Sequence, residues 1–208
     1  MITSNNNEIR LSGQVLLTSA GFLNPNIERK CNDVISQEFK KNSAIIITSA
    51  SIEKENNKYN ILVFNQLKSL GFKNVNFVDV EKESLSLEGV DLLWVNGGNT
   101  FRLLKALKDS NFLEQLLGFS GFYIGVSAGS VVLGPNIEIA KIADENTANI
   151  NDFSGFNIVN FTVFPHYENI NDYEEAINEF ENKHNVKVER LRNNEAIYMK
   201  DGVFKKWQ

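Results

Sequence analysis

The sequence predicts an α/β fold, a three-layer, doubly wound and mostly parallel sheet. Short apolar, β-branched runs alternate with longer amphipathic segments, which is the pattern of βαβ units. The runs are almost continuously hydrophobic, as strands covered on both faces by helices require. Length agrees, because 208 residues suit one domain spanning residues 1–208, and 15 Phe within a 42% hydrophobic composition supply a large core.

In chain order, residues 15–18 (VLLT), 44–48 (AIIIT), 75–80 (VNFVDV), 92–96 (LLWVN) and 122–126 (FYIGV) read as the strands. Helices are expected over residues 26–41, 56–70 and 100–117, where Ile61, Phe64 and Leu67, then Leu103, Leu104 and Leu107, recur at helical spacing. Past Ser130 the pattern loosens, and the Asn/Asp-rich stretch 136–157 carries no assignable period. Residues 161–164 read as a strand, 172–183 as a charged surface helix, and 187–191, 196–200 and 203–207 as short strands. Asp201-Gly202 is a hairpin turn signal between the last two.

Composition removes several function classes. Lys+Arg 21 against Asp+Glu 26 leaves a net charge of −5, without the basic surface on which nucleic-acid binding draws. Cys31 is the single cysteine, so no internal disulfide forms, and no Cys/His cluster offers a metal site. No apolar run approaches the ~18–20 residues of a membrane span, and residues 1–7 lack the basic-then-apolar pattern of a leader. The expectation is a cytoplasmic protein with no metal and no membrane partner. Two histidines, His166 and His184, are the whole supply of imidazole bases.

The segment Gly125-Val126-Ser127-Ala128-Gly129 runs an apolar strand into Gly-x-Ser-x-Gly, followed by the apolar Val131-Val132-Leu133. A strand–turn–helix with glycines beside a strained serine is what a nucleophile elbow needs, and the new helix aims free N–H groups at the serine. A helix-capping role for Ser127 is the plainer alternative. A second glycine loop, Asn96-Gly97-Gly98-Asn99-Thr100, follows another strand, and its amides can donate to a developing anion. Since open α/β sheets bind ligands at the carboxyl ends of their strands, both loops face one crevice.

Phe164-Pro165-His166-Tyr167 places His166 just past a strand, suited to act as base toward Ser127, whereas His184 ends a polar helix and is expected in solvent. An acid to hold the imidazole has two candidates, Asp144 and Glu195, between which these residues alone do not choose.

Together these three motifs, in this order and spacing, resemble the peptidase E (aspartyl dipeptidase) family of serine peptidases, relatives of cyanophycinase. The likeness runs from the first strand to the Asp201-Gly202 turn. It implies a sheet akin to the class I glutamine amidotransferase fold, flavodoxin-like in its layering, with no cofactor and no metal. It implies Ser127 as nucleophile and His166 as base, with Ala128 and the Gly97, Gly98, Asn99 loop serving the oxyanion and substrate. For the acid it leaves a conflict. Ungapped counting back from His166 selects Asp144, while counting back from Gly202 reaches Asn193, so that Glu195 requires a two-residue slip. The Ser–His–Glu order of glutamine amidotransferases favours Glu195.

The resemblance therefore implies a dipeptidase-like enzyme, monomeric or homodimeric, cleaving small peptides through an acyl-enzyme. One departure bears on specificity. Residues 167–184, where aspartyl dipeptidases carry an arginine for the substrate aspartate, contain no arginine here, and Arg102 is the substitute on offer. Two other readings are a binding or regulatory member that has lost its acid, as Asn193 would allow, and a small esterase of the α/β-hydrolase type, whose acid-before-histidine order only Asp144 satisfies.

Overall fold

The computed structural model describes residues 11–168 and 170–208, the latter without the side chains of 170–172; the start of the chain that was read for a leader lies outside the described residues. Nine strands are seen among these: β1 (Gln14–Thr18), β2 (Ser43–Ile47), β3 (Asn74–Val78), β4 (Leu92–Val95), β5 (Phe122–Val126), β6 (Phe161–Phe164), β7 (Lys187–Arg190), β8 (Ala196–Lys200) and β9 (Val203–Trp207). Six helices accompany them: α1 (Pro25–Glu38), α2 (Lys58–Ser69), α3 (Thr100–Lys108), α4 (Phe112–Leu117), α5 (Ala128–Val131) and α6 (Ile170–His184). The main sheet has the order β3-β2-β4-β5-β1-β8-β9. Its first five strands are parallel, and β8 and β9 close one edge as an antiparallel hairpin. The predicted α/β, mostly parallel architecture is thus the observed one.

Period-two alternation along the buried strands divides the core between two faces. Leu16, Ile46, Trp94 and Ile124 pack with Ile27, Cys31 and Ile35 of α1 and with Val63 and Leu67 of α2. Leu17, Ile47, Val95 and Tyr123 face the other way, onto Leu103, Leu104 and Leu107 of α3 and Leu116 of α4. Each such fully buried aliphatic side chain contributes about 1.5–3 kcal/mol relative to an exposed one. This is why the strands read as unbroken apolar runs: both faces are covered.

Two expectations need adjustment. The helix expected over residues 100–117 is broken, because Asp109 caps α3 and Ser110 and Asn111 turn their side chains to other partners. Ser110 Oγ accepts from Phe112 N–H, and Asn111 bonds to both backbone groups of Leu85. The unassigned stretch 136–157 holds a short 3₁₀ turn, Glu138–Ile142, and is otherwise irregular. The Asp201-Gly202 turn is as expected, with φ of 52° and 75°, the sign a type I′ hairpin requires.

Outside the main sheet, β6 and β7 pair in parallel. A third apolar cluster, Phe164, Tyr167, Ile177, Phe180 and Val188 among it, packs α6 onto this pair. Arg190 of β7 binds α6 with a two-pronged contact to Glu174, at 2.9 and 3.0 Å, and a further bond to Glu181 at 3.1 Å. No helix among the described residues is long and apolar enough to cross a membrane.

Candidate active site

Ser127 stands between β5 and α5 with φ 51° and ψ −112°, a conformation that costs about 1–3 kcal/mol and persists only where its surroundings enforce it. They do so by close approach. A Cβ on Gly129 would lie 2.1 Å from the Val95 carbonyl oxygen, and one on Gly125 would lie 2.6 Å from that of Gly129. Ser127 N–H donates to Thr18 O at 2.8 Å, and Ser127 O accepts from Ser130 N–H at 2.8 Å. Ser130 Oγ, fully buried, accepts from Thr18 N–H at 2.9 Å and donates to Gly125 O at 2.8 Å, tying β1 to β5 beneath the turn. The Gly-x-Ser-x-Gly sequence folds into the strained strand-to-helix turn that its glycines permit.

His166 follows β6 and Pro165 and is itself at φ 58°. Its backbone N–H donates to Ser19 Oγ at 3.2 Å, and the Ser19 hydroxyl donates to Leu191 O at 2.7 Å, so that one buried serine joins the ends of β1, β6 and β7. The imidazole spans two partners: Nε2 lies 3.1 Å from Ser127 Oγ, and Nδ1 lies 2.6 Å from Asn193 Oδ1. With Nδ1 protonated and donating to the amide oxygen, Nε2 is free to accept from the serine hydroxyl. Asn193 is fixed in turn, its N–H donating to Glu168 Oε1 at 2.8 Å.

Neither expected acid stands beside the imidazole. Glu195 turns away because it closes the Arg192–Glu195 turn onto itself, with Oε2 accepting from Arg192 N–H at 3.0 Å. It also takes a 3.0 Å ion pair from Lys206 and a 3.0 Å bond from Gln208. Burial works against its charge, but these donors prevail and hold the carboxyl below the usual range. Asp144 is spent at the start of α3, where Oδ2 accepts from Thr100 N–H at 2.8 Å. The residue the geometry brings in is Asn193, the position that ungapped counting from Gly202 reaches. Ser19 had no sequence signal beyond being a polar residue after a strand.

The glycine loop also divides its members. The Gly97 N–H is held by Asn96 Oδ1 at 3.1 Å and the Asn99 N–H by Ala50 O at 3.1 Å. The Asn99 side chain caps α3 through Arg102 N–H and donates to Glu145 O at 2.7 Å, and the residue also lines the cavity that holds Ser127. The Gly98 amide, at φ +146°, and the Ala128 amide, first in its helix, meet no acceptor among the described residues. Gly97 serves by having no side chain, since a Cβ there would come within 3.0 Å of Ser127 Cβ.

His184, expected in solvent, is instead largely covered, with Nε2 2.8 Å from Glu138 Oε2 and its ring 4.6 Å from that of Phe180. It lies with α6 and the 3₁₀ turn. Among the described residues no group of three His, Cys, Asp or Glu side chains converges as a metal site.

Ser127, His166, Gly97 and Gly98 line one cavity of about 620 Å³, within the range of small-molecule sites. Its other walls come from the turn after β1, the loop after β2, α2 and Trp94 of β4.

Known proteins resemble this chain in sequence and in fold. The family model described as peptidase family S51 matches residues 15–207. An uncharacterized peptidase of Listeria monocytogenes is 32% identical over 181 residues, covering 78% of this chain and 86% of its own length. Peptidase E of Escherichia coli O6:K15:H31 is 26% identical over 132 residues, 62% of this chain and 57% of its own. A crystal structure from Listeria monocytogenes EGD-e, classed with peptidase E, superposes with a TM-score of 0.75 at 27% identity over 94% of this chain and 98% of the other.

Proposed function

The chain belongs to peptidase family S51 and is a serine peptidase, and on that footing we propose that it hydrolyses short peptides through an acyl-enzyme formed on Ser127. One observation carries the proposal: the Ser127 hydroxyl, on a strained elbow, faces His166 Nε2 at 3.1 Å in the wall of a cavity. Ser127 Oγ attacks the peptide carbonyl carbon as its proton passes to Nε2. The resulting oxyanion is received by the Gly98 and Ala128 amides. Collapse breaks the C–N bond and the imidazolium gives its proton to the leaving amine. A water molecule, deprotonated by the same nitrogen, then hydrolyses the ester.

Asn193 acts here as the orienting group. Its amide oxygen fixes the tautomer in which Nε2 is the base, as the asparagine of Cys-His-Asn peptidases does, without adding a negative charge. Glu195 and Asp144 serve the architecture around the site. The esterase alternative loses its footing at Asp144, which is committed to Thr100.

The test is labelling by a small fluorophosphonate followed by peptide mapping, together with turnover of dipeptides. Wild type should be modified on Ser127 alone and should turn over, and Ser127→Ala should do neither. Hydrolysis that persists in Ser127→Ala overturns the proposal.

A further inference from the structure

We infer that the cavity beside Ser127 is a selectivity pocket for an apolar side chain, so that the preferred peptides carry an aliphatic or aromatic residue and not an acidic one. This rests on the peptidase reading for what is done to the ligand, but not for what binds.

The wall is built by Phe22 and Leu23 after β1, Trp94 of β4, and Tyr59, Leu62 and Val63 of α2. Phe22 and Trp94 form its floor, ring against ring in an edge-to-face contact at 4.7 Å. Its rim is unusual for a protein surface: Leu23 is 61% exposed, Tyr59 53% and Leu62 41%, all on the same opening. Scattered single apolar residues on a surface need no explanation, but several converging on one concave site mark a place where apolar ligand surface is received.

The charges of the site point the same way. Arg102 is the one arginine or lysine among the lining side chains; its Nη2 meets Glu81 at 3.3 Å and its buried Nε has no partner among the described residues. Glu53 lines the same cavity. An aspartate side chain placed there would face an acidic neighbour and a guanidinium shared with Glu81, and would be desolvated against Trp94 and Phe22. Arg102 Nε and Trp94 Nε1, both without a partner among the described residues, are buried and present almost no surface to it. Of the arginines near His166, Arg190 is spent on Glu174 and Glu181, and neither it nor Arg192 lines the cavity.

Binding to Ser127→Ala tests this without turnover. Dipeptides X-Ala and Ala-X, with X as Phe, Leu, Asp or Lys, are titrated by calorimetry and by the fluorescence of Trp94, with Trp207→Phe removing the second indole. In at least one of the two positions Phe and Leu should bind on the order of tenfold more tightly than Asp, as the loss of apolar contact in such pockets gives. Leu62→Ser should erase most of that preference. Its half-exposed position keeps the fold intact, and Tyr59→Ser is the parallel variant. Equal or tighter binding of the Asp peptides, or an unchanged preference in both variants, overturns the inference. Fluorophosphonate labelling of wild type reports separately on the peptidase reading: absent labelling with an apolar preference removes the chemistry and keeps the pocket, and labelling with an Asp preference does the reverse.

Discussion

Asn193 Oδ1 lies 2.6 Å from His166 Nδ1, the place where serine hydrolases of the Ser-His-Asp type hold a carboxylate. An amide there fixes the imidazole but adds no charge to stabilise its cation. Asn193→Asp should therefore favour the imidazolium. Because the base must be neutral in the free enzyme, the acid limb of kcat/KM should move to higher pH, by on the order of one unit. The plateau above that limb should rise, since the imidazolium formed in the transition state is now paired. Asn193→Ala should lower the plateau on the order of 10²-fold through loss of the oriented tautomer. A pH profile of the three proteins on one dipeptide reads both effects, and an unmoved acid limb in Asn193→Asp would count against the contact as drawn.

Ser127→Ala and His166→Ala should each reduce kcat by roughly three orders of magnitude or more, and the double variant should be scarcely worse than either single one, because the two groups act as a unit. Both side chains face the cavity rather than the core, so far-UV circular dichroism and the melting temperature should stay near wild type. A double variant whose loss equals the product of the single losses would mean that the residues act independently.

How much of this was legible in the sequence depends on whether the deciding contacts are local. Strands β5 and β6, buried along their whole length, match their apolar runs to the residue, and β8 and β9 match theirs because the Asp201-Gly202 turn fixes where the hairpin folds. Ser127 and His166 were legible because a strained turn and a strand exit each leave a short-range signature. The third group was not. Asn193 and Glu195 lie two residues apart in one turn, and which of them meets His166 is settled by where Arg192 N–H, Lys206 and Gln208 draw the glutamate. Lys206 of β9 and Gln208 just after it lie beyond any pattern local to the turn. The break between α3 and α4 was missed for a related reason: Asn111 is drawn to Leu85, a residue far back in the chain.

Asp144 should matter for rate without being an acid–base group. By accepting from Thr100 N–H at 2.8 Å it holds the start of α3, and with it the loop that presents the Gly98 amide. A carboxylate at a helix N-terminus adds about 0.3–1 kcal/mol. Asp144→Ala should lower kcat by about tenfold with KM less affected, because a displaced oxyanion donor is felt chiefly in the transition state. Asp144→Asn keeps an accepting oxygen and should recover most of the rate, with the pH profile in place. A shifted acid limb in Asp144→Asn would instead assign it to the titrating machinery.

Glu138 ties α6 to the 3₁₀ turn that follows α5. Its carboxyl is held at about 2, from an ordinary 4.5, by Lys183 first, then Lys141, with His184 adding a further hydrogen bond. The folded state thus binds the proton less readily than the unfolded one, so the stabilisation is present above pH 4.5 and is lost as pH falls from there toward 2. Glu138→Gln should lower the melting temperature by about 2–4 °C at neutral pH, the equivalent of ~1 kcal/mol for a partly exposed ion-pair cluster. Differential scanning calorimetry between pH 7 and pH 2.5 should find the gap between variant and wild type narrowing as the acid limit is approached. A gap that is constant over this range would show that Glu138 contributes through packing or a neutral hydrogen bond and not through its charge.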